Sequence, residues 1–140
     1  MALTTTLILI GSFILMEAFF SGSEIGMIAI NRIKMKKKAD EGNGSAQIVL
    51  DLLNTPEKLF ATTSLGTNLA VVSSTSIFTA YMVTNMGPKG ELMAMVILSP
   101  IILFAGEIVP KIILQNRADV IMPFLIRPLN VSLGLLSPII

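Results

Sequence analysis

Cysteine and histidine are both missing from this 140-residue sequence. Without thiol or imidazole there can be no disulfide, no zinc or iron site of the usual ligand types, no thiolate nucleophile and no histidine acid–base catalysis. Charge is scarce as well: Asp, Glu, Lys and Arg together make up 14% of the chain, against roughly 25% in an average soluble domain. The formal net charge of +1 argues against a nucleic-acid partner. No internal repeat is evident. What remains for chemistry is oxygen, from carboxylates, hydroxyls, amides and the backbone, and an enzyme is not expected.

What is present is apolar. Hydrophobic residues make up 53% of the chain and the mean hydropathy is +0.80, so long uncharged runs would lie bare in water and call for lipid instead. The first run, Thr4 to Ile30, outreaches the roughly 30 Å hydrocarbon layer at 1.5 Å per residue. Met1 to Ile10 has no Lys or Arg and the run continues to Phe20, so it is predicted to stay as a span and not to be cleaved as a signal. Further spans are predicted over 59–83 and 92–114, with the first over 4–30. Helices at the cytoplasmic interface are predicted over 44–54, where Ala46, Ile48, Val49, Leu50, Leu52 and Leu53 form an apolar stripe, and over 119–140, where Pro123, Pro128, Pro138 and Arg127 divide the apolar stretch into pieces too short to cross. Nine of the ten basic residues, all but Lys89, then fall on one side, which predicts that side to be cytoplasmic and the N-terminus to be outside. The fold class expected is all-α and integral to the cell membrane. The close on Ser137-Pro138-Ile139-Ile140, with no polar tail, predicts a further soluble part downstream.

Ionisable groups at mid-membrane cost a few kcal/mol or more unless paired, so each is a functional candidate. Glu107 sits inside Phe104-Ala105-Gly106-Glu107-Ile108-Val109-Pro110-Lys111, where Pro110 cannot donate to the carbonyl of Gly106. A carboxylate beside a free backbone oxygen suits a hard cation such as Mg²⁺, Ca²⁺ or Na⁺. The competing account is a proline kink in which Glu107 pairs with Lys111 four residues on. In the first span Glu17, Ser21 and Glu24 fall at i, i+4 and i+7, so one inward face carries two carboxylates and a hydroxyl. Glu17 reads as facing a water-filled vestibule, Glu24 as a ligand or as a partner of a basic residue at the inner end. Ser23 lies about 100° from Glu24 and is the alternative to Ser21. In the second span Ser64, Thr67 and Asn68 share a face; Asn68 offers an uncharged oxygen or serves as helix–helix glue, and nearby Gly66 could expose a carbonyl. The Ser73-Ser74-Thr75-Ser76 run reads as glue.

Phe19-Phe20-Ser21-Gly22-Ser23-Glu24 followed by Asn31-Arg32, then Thr67-Asn68, then Gly106-Glu107-Ile108-Val109-Pro110-Lys111 and the Leu136-Ser137-Pro138 close together resemble the transmembrane domain of the CorC/cyclin M family of magnesium transporters. The Gly-Glu-Ile-x-Pro-Lys string carries most of the specificity. The resemblance implies a homodimer of three spans plus cytoplasmic juxtamembrane helices, and a largely dehydrated Mg²⁺ held by Ser21, Asn68, Glu107 and a carbonyl near Gly66. It also implies export of Mg²⁺ against Na⁺ influx by alternating access, and a downstream pair of CBS domains that binds ATP. One departure is Gly22, where many relatives carry Ala, and it leaves Ser21 and Ser23 both open. A divalent-cation channel, and a passive anchor and dimerisation platform for a cytoplasmic domain, remain the alternatives from other functional classes.

Overall fold

A computed structural model describes residues 2–136 and 138. Ser137, with it part of the Leu136-Ser137-Pro138 close, and the last residues of the helix expected over 119–140 lie outside the described residues.

The chain is all helical among the described residues. Helix α1 runs Leu3–Ala29, α2 Arg32–Asp40, α3 Gly44–Leu53, α4 Pro56–Met86 and α5 Lys89–Ile101; a π-helical turn follows over Ile102–Ile108, and α6 continues as Val109–Leu136. Three helical runs are long and apolar enough to cross a membrane: Leu3–Ala29, Pro56–Met86 and the 48-residue run Lys89–Leu136. Their large apolar side chains, Leu15, Val72, Val96 and Phe124 among them, are turned outward and exposed, the inverse of a water-soluble bundle and what a lipid solvent requires.

Local chemistry sets the breaks. Asn31 caps α2 by accepting from the backbone N–H groups of Ile33 at 3.0 Å and Lys34 at 3.2 Å, so the basic cluster is itself a helix. Asn43 caps α3 in the same way through Ala46. Pro56 opens α4 at a position where its missing N–H costs nothing. The α4–α5 hairpin turns at Gly87, whose φ of 71° suits glycine. It closes tightly, because Gly90 packs on the Met82 carbonyl with no space for a Cβ.

The long third run bends at Arg117, where φ is −130° and ψ 28°. The helix continues through Pro123 and Pro128; each proline forfeits one backbone bond, while Ala118, Met122, Ile126, Leu129 and Leu133 bury a single stripe that offsets the loss. Asp119, just past the bend, accepts from the backbone N–H of Asn31 at 2.8 Å and lies 3.9 Å from the Lys34 ammonium, tying the new direction to the start of α2.

Packing forms two apolar layers. One gathers Phe20, Met27, Met35, Val49, Leu59, Leu114 and the α6 stripe; the other holds Ile10, Phe78, Met82, Ala94 and Leu98. Between these layers every long helix carries small or polar residues: Glu17, Ser21, Gly22 and Ser23 on α1, Gly66, Ala70 and Ser74 on α4, and Gly106 in the π turn. The candidate site lies in this belt.

Candidate cation site

Helix α1 is hemmed in at the belt, because Phe20, Ser21, Gly22 and Ser23 are all buried and so face neighbours all round the helix. On one side Phe20 lays its ring against the α-carbon of Gly66, where a Cβ would overlap it. On another, Gly22 faces the start of α6, with room for a Cβ only at 3.2 Å from Leu114 and 3.3 Å from Pro110. Small residues permit these approaches, as is usual between membrane helices. Helix α4 is continuous through Gly66, so what this glycine visibly provides is room for the Phe20 ring.

The third wall is the π turn. Val109 donates its N–H to the carbonyl of Phe104, five residues back, which widens the helix by one residue. Pro110 has no N–H to give to Gly106 at α spacing or to Ala105 at π spacing. Backbone oxygen in this turn is therefore short of helical donors beside Glu107. Such turns recur at functional sites because they re-aim side chains and carbonyls.

Of the residues singled out by sequence, Ser21, Ser23, Gly66, Gly106 and Pro110 are buried in the belt, while Glu24, Glu107 and Lys111 are half-buried. The structure does not bring Asn68 to them within one chain: it is exposed, as is Ser64, with Thr67 half-buried. The only ion pair among the described residues is Lys34–Asp119, so the Glu107–Lys111 pairing that would make Glu107 purely structural is not formed. No group of three Asp, Glu, His or Cys residues with metal-holding geometry exists among the described residues. A cation here would draw on neutral oxygens as well as carboxylate.

Glu17 departs from expectation. It does not face a vestibule: its side chain is 0% exposed, both carboxylate oxygens lack a hydrogen-bond partner, and the group presses on the α-carbon of Gly106. Its spacing of four from Ser21 puts it on the site's face, but depth follows from how closely Gly106 lets the third run approach. The Ser23 hydroxyl is likewise buried and unpartnered.

A family model described as the cyclin M transmembrane N-terminal domain matches residues 7–140. The chain belongs to the cyclin M family. It is 31% identical over 118 residues to the UPF0053 inner membrane protein YfjD of Escherichia coli, covering 82% of this chain and 28% of that protein. It is 27% identical over 138 residues to a UPF0053 protein of Haemophilus influenzae, covering 99% of this chain and 33% of the relative. A third relative, the polyamine export protein of Escherichia coli, is 42% identical over 59 residues, covering 42% of this chain and 13% of that protein. The chain thus spans about a third of the length of the first two relatives. With three membrane-capable runs and an inner-membrane relative, it is a multi-pass membrane protein. Within the cyclin M frame, the Gly106–Lys111 motif is the π turn and its exit into α6, and Asn31 is the cap that also binds Asp119.

Proposed function

We propose that this domain binds Mg²⁺ in the belt and carries it across the membrane, exporting it against Na⁺ influx by alternating access. The observation that carries this reading is Glu107, half-buried and unpaired on a π turn whose Pro110 withholds a donor, with that turn packed on α1 at Glu17 through Gly106 and at Gly22, beside the buried Ser21, through Pro110. Mg²⁺ surrenders its waters reluctantly and demands close, near-octahedral oxygen. One carboxylate, a hydroxyl and donor-poor carbonyls are the type of ligand that can replace those waters. Asn68 completes the set when a second copy of the chain covers the exposed α4 face, so the functional unit is a homodimer. Family membership supports an ion as substrate. A downstream CBS-domain pair would regulate the cycle, the N-terminus lies outside, and the C-terminal end of α6 is cytoplasmic.

The deciding experiment is flux in proteoliposomes with and without a Na⁺ gradient, alongside calorimetric Mg²⁺ titration. Saturable, gradient-dependent Mg²⁺ movement supports the transporter. Flux far above transporter rates would indicate a channel, and no Mg²⁺ binding would leave an anchor. A second substrate belongs in the same assay, since one stretch of the chain matches a protein named for polyamine export. Competition by spermidine at the Mg²⁺ site would favour an organic polycation.

A further inference from the structure

We propose that Glu17 is a second carboxylate ligand of this cation site, opposed to Glu107 across the turn at Gly106, so that a divalent ion is held between two carboxylates. The inference rests on the cation-site reading above and deepens it.

Three observations converge on it. Glu17 is 0% exposed and neither of its oxygens has a partner. A carboxyl kept for structure would accept from a hydroxyl or amide or, protonated, donate to a carbonyl; this one does neither, and a buried polar group left so is costly. Next, the carboxyl lies against Gly106, where a Cβ would overlap both oxygens and the carboxyl carbon. The sequence has glycine at the one place where any side chain would push Glu17 out of the belt. Finally, the charged side chains whose fields reach Glu17 are Glu107 and Lys111, and Lys111 is within ion-pair distance of neither carboxylate. Two carboxylates face one lysine, so without a bound cation the site would be short of positive charge. A divalent cation between Glu17 and Glu107 supplies it, and the donor-poor carbonyls near Pro110 supply neutral ligands at the same level.

Such a group stabilises the loaded state and burdens the empty one. The test uses the full chain in lipid nanodiscs, with Glu17→Gln, Glu17→Met and Glu107→Gln beside the parent. Mg²⁺ is titrated by calorimetry, and each protein is melted with and without the ion. Both Glu17 variants are expected to melt, without Mg²⁺, at or above the parent's temperature, because an unpartnered buried carboxyl has been removed. Their Mg²⁺ affinity is expected to fall by about tenfold or more. Glu17 variants that bind Mg²⁺ like the parent, beside a Glu107→Gln protein that does not, would overturn the inference and leave the Glu107 site standing. Binding unchanged in all three would sink the proposed site itself. If Glu17→Gln and Glu17→Met both fail to fold, Glu17 is a structural residue and the inference is wrong.

Discussion

Glu107 is the residue on which the transport reading stands. In a poorly solvated site a full negative charge is the main compensation for stripping water from a divalent ion, and a neutral amide of the same size cannot replace it. Glu107→Gln is therefore expected to abolish Mg²⁺ binding and flux while leaving the fold intact. Ser21→Ala and Asn68→Ala should weaken binding less, since each deletes a neutral ligand that a water can replace. Calorimetry with a parallel thermal melt checks all three. Were Glu107 a structural partner of Lys111, the Gln protein would instead lose thermal stability and keep its Mg²⁺-dependent protection. The place of Glu107 inside an apolar run and the donor deficit at Pro110 were legible in the sequence, because intramembrane carboxylates are rare and proline has no N–H. The burial of Glu17 was not, since periodicity gives the face of a helix and not how near the next helix comes. That distance depends on Gly106, 89 residues away in the chain.

At the scale of elements, glycine placement sets the helix spacing, and the two contacts of α1 differ in how they respond to an added methyl. Gly66 lies under the Phe20 ring, and Gly26 under the Met122 side chain. A thioether chain can swing aside, whereas a ring wedged between helices cannot. Gly66→Ala is expected to cost about 1–3 kcal/mol through overpacking. Gly26→Ala should be close to neutral, the strain being offset by up to about 1 kcal/mol of helix propensity. Differential melts of the two variants test this, and equal losses would mean that the ring accommodates as readily as the methionine. Phe20→Leu in the Gly66→Ala background should recover stability by vacating the space. The helices themselves followed from apolar run length. The bend at Arg117 falls in the gap between the span expected over 92–114 and the helix expected over 119–140; the unbroken passage through Pro123 and Pro128 did not follow, because it depends on the buried stripe from Ala118 to Leu133. The π turn was visible only as the Pro110 donor deficit, since a widened turn leaves no mark on hydrophobic periodicity.

For the whole molecule, the asymmetry of charge predicts how the three runs sit in the bilayer. Arg32, Lys34, Lys36, Lys37 and Lys38 on or beside α2, with Lys58, Lys111, Arg117 and Arg127, fall toward the end of the bundle that holds α3, whereas the α4–α5 hairpin carries Lys89 alone. Short loops rich in Lys and Arg stay on the cytoplasmic side during insertion, so that end is expected inside and the hairpin outside. The chain has no cysteine, which makes it its own background for single-cysteine labelling. Gly42 and Gly87 mark the two loops, but their φ values of 93° and 71° would strain any substitute. The exposed neighbours Glu41 and Met86 are better sites. Met86→Cys is expected to react with an impermeant maleimide on intact cells, and Glu41→Cys only after the membrane is opened. Reversed labelling would place the N-terminus inside and invert the direction in which the proposed site must release its ion. Labelling of both from outside would mean that Pro56–Met86, the one membrane-capable run between them, does not cross at all, and a three-span transporter could not then be maintained.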